Sequence, residues 1–236
     1  MSVPAGVGGK RPRLDRERVL RGAVEVADRG GIAALTIRSL ADELGVKPMT
    51  VYYYVTNKEE ILDGIVDIVF GEIDLPTVGG DWRTELTERA LSAREVLNKH
   101  PWAIPLLESR TSPGPATLRH HDAVLGVLRA AGFSLADTAH AYALLDAFLY
   151  GHAVQEASLP FEGPEGPAEV APQVVESMSL AGDFPHLTEM MASYYLRPGY
   201  DFADEFEIGL AAVLDSVSRW LVAPEDERRD HPGKRR

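Results

Sequence analysis

Apolar residues recur along this chain at intervals of three and four, and runs alternating at period two are nearly absent, a pattern that predicts helices rather than strands. Val19, Leu20, Ala23, Val24 and Ala27 make the first stripe. Asp15 stands where a cap belongs, so this helix is expected from about Arg16 to Gly30 and Gly31. Thr36 is placed to cap a second helix carrying Ile37, Leu40, Ala41 and Leu44, which Gly45 ends. Pro48 suits the first turn of a third, where its missing N–H costs nothing, and that helix is expected to last about two turns, to Val55. Asn57 with Glu60 three residues on has the form of a capping box. It opens a fourth helix, whose stripe of Ile61, Leu62, Ile65, Ile68, Val69 and Ile73 runs to Pro76.

Further helices are expected at about 82–98, 115–131, 135–157, 170–180, 186–196 and 202–222. The fold class is therefore all-α. "LPFEGPEGPAEVAP", rich in Pro, Gly and Glu, is expected to form a mobile surface loop, and "EDERRDHPGKRR" a solvated tail. The expected organisation is a flexible basic arm at 1–14, a small helical domain at 15–60, a larger one at 61–223 and a polar tail at 224–236.

The stretch "VKPMTVYYYVTNKEEI" lies in the small domain. Three short helices joined by a glycine turn and a proline start make a helix-turn-helix, whose second helix enters the DNA major groove. On the short helix Val51 and Val55 are four apart and share the inward face, with Tyr54 beside it. Lys47, Met49, Thr50, Tyr52 and Tyr53 are left for the outer face. Tyr52 can give phosphate a hydrogen bond from a rigid ring, while Thr50 and Met49 can meet base edges. Arg38, on the preceding helix, has a fork of donors for guanine or phosphate, and Lys58 opens the next helix, where an anion is favoured. Consecutive tyrosines that merely cover a helix junction are the plainer reading; the placing of Gly45, Pro48, Arg38 and Lys58 weighs against it.

Charge changes the picture. The 236 residues carry a net charge of −12, which taken whole argues against a polyanionic partner. Residues 1–65, however, hold ten Lys/Arg against nine Asp/Glu, and Lys10 to Arg21 alone has six basic residues against two acidic. Phosphate would be met at this end. The chain has no cysteine, which excludes disulfides, thiolate nucleophiles and thiolate metal sites. No run of eighteen apolar residues and no secretory h-region occurs, and the expected location is the cytoplasm.

The segment "TIRSLADELGVKPMTVYYYVTNKEEILDGI" closely resembles the DNA-binding segment of tetracycline-repressor-like (TetR family) transcriptional regulators, through Thr36, Leu40, Ala41, Leu44-Gly45-Val46, Thr50, Tyr52, Asn57-Lys58 and Leu62. The resemblance implies a homodimer with an N-terminal three-helix DNA reader and a larger C-terminal domain for effector binding and dimerisation. By matched position it implies Arg38, Lys47, Pro48, Met49, Thr50, Tyr52, Tyr53 and Lys58 as contacts to a double-stranded DNA operator. "AAGFSLADTAHAYALLDAFLYGHAVQE" and "FADEFEIGLAAVLDSV" resemble the branch that includes the tetracycline repressors themselves. There a magnesium–drug chelate is held by two histidines and a carboxylate; the corresponding places here are Asp74, Pro105 and Gln155. The expected inducer is therefore not tetracycline–magnesium, and no cofactor is expected.

Two helices of the second domain are apolar over more than one face and need cover on both sides. A four-helix dimer interface is expected from them, through Ala139, Leu145, Gly209, Ala212, Val213 and Val217. The effector pocket is expected between the long helices, from Trp102, Leu106, His121, Tyr142, Phe148 and Gln155. His100, His120, His121, His140 and His152 follow no metal-ligand spacing. GxSxG, P-loop, GxGxxG and HExxH motifs are all missing, so an enzyme is not expected. The readings carried forward are a repressor released by a small, largely apolar effector, a DNA-binding activator, and a helical adaptor that uses the tyrosine face for protein contacts.

Overall fold

A computed structural model of the chain describes residues 14–222, apart from 108, 111, 161–162, 164–165, 182–183 and 198. The expected basic arm and polar tail lie outside the described residues, save Leu14. Eleven α-helices are present among those described, with no strand.

Local sequence sets the first four. In α1 (Arg16–Ala34) the Asp15 carboxylate accepts the Arg18 N–H at 2.8 Å, as an N-cap does. The glycine pair does not end this helix. Its backbone breaks at Gly31, where φ is +71°, and one further turn follows, bringing Leu35 into the core. In α2 (Ile37–Leu44), Thr36 and Ser39 exchange side-chain and backbone bonds at 2.9 and 3.0 Å, a reciprocal capping box. Gly45 closes it in the left-handed conformation, φ +66° and ψ +36°, which costs a residue with a Cβ about 1–2 kcal/mol.

Helix α3 (Pro48–Val51) is shorter than expected. Tyr52 to Tyr54 continue as looser turns, with Tyr54 N–H on the Val51 carbonyl at 3.0 Å. Val51 and Val55 are nonetheless both buried, so the inward face is kept. At α4 (Lys58–Glu72), Asn57 accepts the Glu60 N–H at 2.8 Å, but Glu60 returns its bond to Thr56, one residue beyond the cap, at 2.7 Å. Arg16 of α1 holds the other carboxylate oxygen at 3.2 Å. The Thr56 backbone bond first, and Arg16 after it, hold the Glu60 carboxyl below its usual range.

The larger domain comprises α5 (Trp82–Lys99), a 3-10 turn at Pro101–Ala103, α6 (Ile104–Leu107), α7 (Pro115–Ala130), α8 (Leu135–Ala157), α9 (Gly166–Ala181), α10 (Pro185–Met190) running into a π turn at Met191–Tyr195, and α11 (Phe202–Val222). The segment expected as a loop is helical from Gly166. A first-turn proline, Pro167, is tolerated there because it has no N–H to lose, and the helix carries Pro172 farther along. Helix α8 packs on α5, α7 and α11, and α4 packs on both α1 and α7. Residue 61, where the expected boundary falls, is thus inside a helix that serves both domains.

Their junction is polar and specific. Asp28 of α1 accepts Trp102 Nε1–H at 2.6 Å and lies 2.6 Å from Nδ1 of His100. Glu72 of α4 takes the Lys99 ammonium at 2.6 Å and faces Nε2 of His100 at 3.2 Å. Burial works against the charge on Glu72, yet the bonds from Lys99 and His100 together bring its carboxyl below the usual range. On the other side Asp67 of α4 caps α7, accepting both N–H and Oγ1–H of Thr117 at 2.8 and 3.0 Å. The residue at α7's own cap position is Gly114, where a Cβ would sit 2.2 Å from Asp67.

Inside the larger domain lies a charged cluster. Arg89 of α5, 3% exposed, donates Nε–H to His120 of α7 at 2.9 Å and Nη1–H to Asp146 of α8 at 3.0 Å. Burial first, then the Arg89 charge and His121, lowers the His120 pKa to about 3. His120 is therefore neutral, and its Nε2 lone pair accepts from Arg89. Because the folded value lies below the ordinary 6.5, the unfolded chain binds the proton preferentially between the two. Its contribution is complete above about pH 6.5 and is lost as pH falls, by up to about 1.4 kcal/mol per unit. Urea unfolding at successive pH values should show this slope, and His120→Gln, which keeps an acceptor, should flatten it. In the small domain, Gly45→Ala should lower stability by about 1–2 kcal/mol, read by thermal melts.

Candidate nucleic-acid interface and effector region

Packing turns one side of α3 outward. Val51 and Val55 are held in the core and Tyr54 packs half-buried beside them, so the remaining side chains of the segment face solvent. Tyr53 is 84% exposed, Met49 71% and Tyr52 47%. Lys47 and Pro48 are exposed and Thr50 is half-buried, while Arg38 on α2 and Lys58 at the start of α4 are also exposed. An exposed row of Met and Tyr is a large apolar surface for a soluble helix to leave bare.

Charge pairing separates two classes of cation. Arg16, Arg21, Arg29 and Arg110 are neutralised by Glu60, Glu17, Glu43 and the Glu59/Asp63 pair. Among the described residues, Arg38, Lys47 and Lys58 have no carboxylate within ion-pair distance. These three cations flank α3. That distribution suits phosphate, since a cation already paired must give up its partner to bind one.

The six expected pocket residues are spread over several elements. Trp102 is buried at the head junction, bonded to Asp28. Leu106 is half-buried on α6, and Gln155 is exposed near the end of α8. Phe148 packs against His152 and Phe206, between α8 and α11. Of the six, His121 and Tyr142 meet edge to face at 5.7 Å, with Phe70 of α4 at 5.6 Å from His121. Burial, and then repulsion by Asp146, raises the Tyr142 pKa, so its hydroxyl keeps its proton. Asp74, Pro105 and Gln155 are exposed on separate elements.

The expected dimer residues also divide. Leu145 and Val217 are buried between α8 and α11 of the same chain, and Gly209 and Val213 are half-buried. A Cβ on Gly209 would lie 2.6 Å from the Phe148 ring, so its smallness serves that internal contact. Ala139 and Ala212 face outward, as do Leu144, Val154 and Ile208. The reading from sequence missed Arg89 and Asp146, although both are polar interruptions of an apolar stripe: Arg89 between Leu86 and Ala93, Asp146 between Tyr142 and Leu149. Arg89 Nη2, His120 Nδ1 and Asp146 Oδ2 are buried with no hydrogen-bond partner.

With this geometry, similarity to known proteins is decisive. Residues 19–65 match the domain family described as bacterial regulatory proteins, tetR family, and residues 75–220 match the tetracyclin repressor-like C-terminal domain. The chain belongs to the TetR family. A transcriptional regulator of the helix-turn-helix type from Saccharopolyspora erythraea is 33% identical over 181 residues, 74% of this chain and 77% of that one. The helix-turn-helix transcriptional repressor DrrR1 of Streptomyces coeruleorubidus is 30% identical, covering 89% and 79%. A crystal structure of a possible TetR family transcriptional regulator from Streptomyces coelicolor has a TM-score of 0.69 at 28% identity, covering 87% of this chain and 99% of that one. These relatives are DNA-binding regulators, not enzymes. No helix among the described residues of this TetR family member is long and apolar enough to cross a membrane.

Two substitutions on the exposed side test the interface. Lys58→Ala should weaken binding uniformly across duplex sequences and reduce the slope of log affinity against log salt by about one. Tyr52→Phe should cost about 0.5–1.5 kcal/mol, or roughly two- to tenfold, in fluorescence anisotropy. Unchanged affinity in both would favour the adaptor reading.

Proposed function

We propose that this TetR family protein is a repressor that binds its operator as a homodimer and leaves it when a small, largely apolar molecule enters the larger domain. The observation that carries this reading is the set of unpaired cations, Arg38, Lys47 and Lys58, around an α3 whose Met49, Thr50, Tyr52 and Tyr53 face outward. Pro48 fixes the start of that helix. Two such heads must sit about 34–36 Å apart to enter successive major grooves. The outward apolar and small residues of α8 and α11, Ala139, Leu144, Ala212 and Ile208 among them, support a four-helix seam between two copies.

Release needs differential affinity only. Moving a dimer from 99:1 in favour of the binding geometry to the reverse takes about 5.5 kcal/mol. The polar junction supports a route for it, since α4 is clamped to α7 by Asp67 and to the turn after α5 by Glu72 and His100. A displacement of α7 therefore bears on α4 and the head.

The experiment is a binding titration with duplexes from the DNA upstream of the chain's own reading frame, followed by a screen for release. Two chains per duplex, a salt-dependent preference of at least about a hundredfold over random sequence, and release by a ligand are expected. Binding no tighter than to random duplex would overturn the proposal, and a ligand that tightens binding instead of releasing the operator would overturn the release mechanism.

A further inference from the structure

A buried imidazole stands where the two domains meet. His100 is 1% exposed, and carboxylates from two separate helices converge on it. Asp28 Oδ1 of α1 lies 2.6 Å from Nδ1, and Glu72 Oε2 of α4 lies 3.2 Å from Nε2. The residue is pinned on both sides of the ring. Its N–H is bonded to the Val96 carbonyl at 3.0 Å as the cap of α5, and its carbonyl takes the Ala103 N–H at 2.9 Å where the 3-10 turn begins. Trp102 meets the ring edge to face at 5.9 Å.

Among the described residues, the charged groups within ion-pair distance of this ring are Asp28 and Glu72, while Lys99 of α5 meets Glu72 at 2.6 Å. Helix α6, next in the chain, carries no charged residue. An ionised carboxylate only accepts, so each ring nitrogen needs a hydrogen to bond the oxygen that it faces. Imidazolium has two and the neutral ring has one. A neutral ring here bonds one helix and turns a lone pair on the other carboxylate, which repels it. Trp102 Nε1–H, at 2.6 Å, and Lys99 supply hydrogens to the same two oxygens, but neither gives the facing nitrogen one.

We propose that His100 is a proton-operated latch between the DNA reader and the larger domain: with both N–H groups it ties α1 and α4 to the turn after α5, and loss of one proton frees one of those helices. Imidazole is the side chain that ordinarily exchanges its proton between about pH 5 and 8. The doubly bonded latch therefore belongs to the acid side, and it opens as pH rises. Its chemistry stands on this geometry alone, whereas its bearing on operator binding rests on the repressor reading above. A head held through both α1 and α4 is preorganised, and freeing either helix adds motion that binding must remove.

The test is nitrogen NMR of the full chain with ring-labelled histidine, between about pH 5.5 and 8.5, beside amide hydrogen exchange along α1. Local readouts are needed because the stability set by His120 also changes with pH. His100 should carry two N–H groups at the low end and one at the high end. Exchange from Val24 to Asp28, corrected for its intrinsic rise with pH, should speed up in step by about two- to tenfold. Asp28→Asn keeps an acceptor for Trp102 and offers an amide N–H to the lone pair of a neutral ring. It should remove the step with the circular dichroism unchanged, and His100→Gln should remove it as well. A ring that holds one hydrogen, or both, across the whole range overturns the proposal, as does an exchange step that persists in Asp28→Asn. Operator affinity should fall by about two- to tenfold over the same range, and not in Asp28→Asn. A titrating latch with operator affinity that moves alike in both chains overturns the link to binding. A titrating latch in a chain that prefers no duplex supports the latch and overturns the repressor reading instead.

Discussion

Helix α4 is buried from two directions, and the rest of the molecule depends on that constraint. Ile61, Leu62, Ile65, Val66, Val69 and Phe70 are all in the core, because α1 covers one side of the helix and α7 the other. Fully burying each such side chain contributes about 1.5–3 kcal/mol, so neither domain can part from α4 cheaply. The ring of Phe70 lies 5.7 Å from His120 and 5.6 Å from His121. The interior of the larger domain and the frame of the DNA reader therefore share a surface.

Electrostatics divides the molecule by pairing rather than by net charge. A chain at −12 binds a polyanion only if its few free cations are gathered in one place. The head achieves this by spending most of its arginines on neighbouring glutamates, as in Arg16 with Glu60 and Arg21 with Glu17, and leaving Arg38, Lys47 and Lys58 unmatched around α3. Exposed pairs of that kind add little stability, about 0–1 kcal/mol each. Their larger effect is to define which cations remain available.

The Arg89–Asp146 pair is a different kind of interaction. Both groups are almost fully removed from water, and desolvation can cancel most of the attraction between two such charges. An apolar pair of similar volume would hold α5, α7 and α8 together at least as well. What the ions add is directionality, because guanidinium, imidazole and carboxylate bond at defined angles and fix how three helices face one another.

Short-range chemistry was readable without coordinates. Asp15, Thr36 and Asn57 cap the helices that follow them, Gly45 ends α2, Pro48 opens α3, and stripes at three and four separate core from surface. The outward placing of Tyr52 and Tyr53 follows from Val51 and Val55 alone, since residues four apart share a helix face. Whatever required two distant segments to meet was decided by tertiary structure. Arg89 and Asp146 are 57 positions apart, and Trp102 and Asp28 are 74 apart; periodicity shows that such residues point inward but not what they point at. The sequence shows that Gly209 permits a close approach but not that the Phe148 ring makes one, and Glu60 bonds Thr56 because the turn ahead of α4 brings that N–H within reach. Local sterics and hydrogen bonding set where most of the long helices begin and which face each buries. Three-dimensional packing alone chose the neighbours, because the pairing of faces is a property of the whole chain's arrangement.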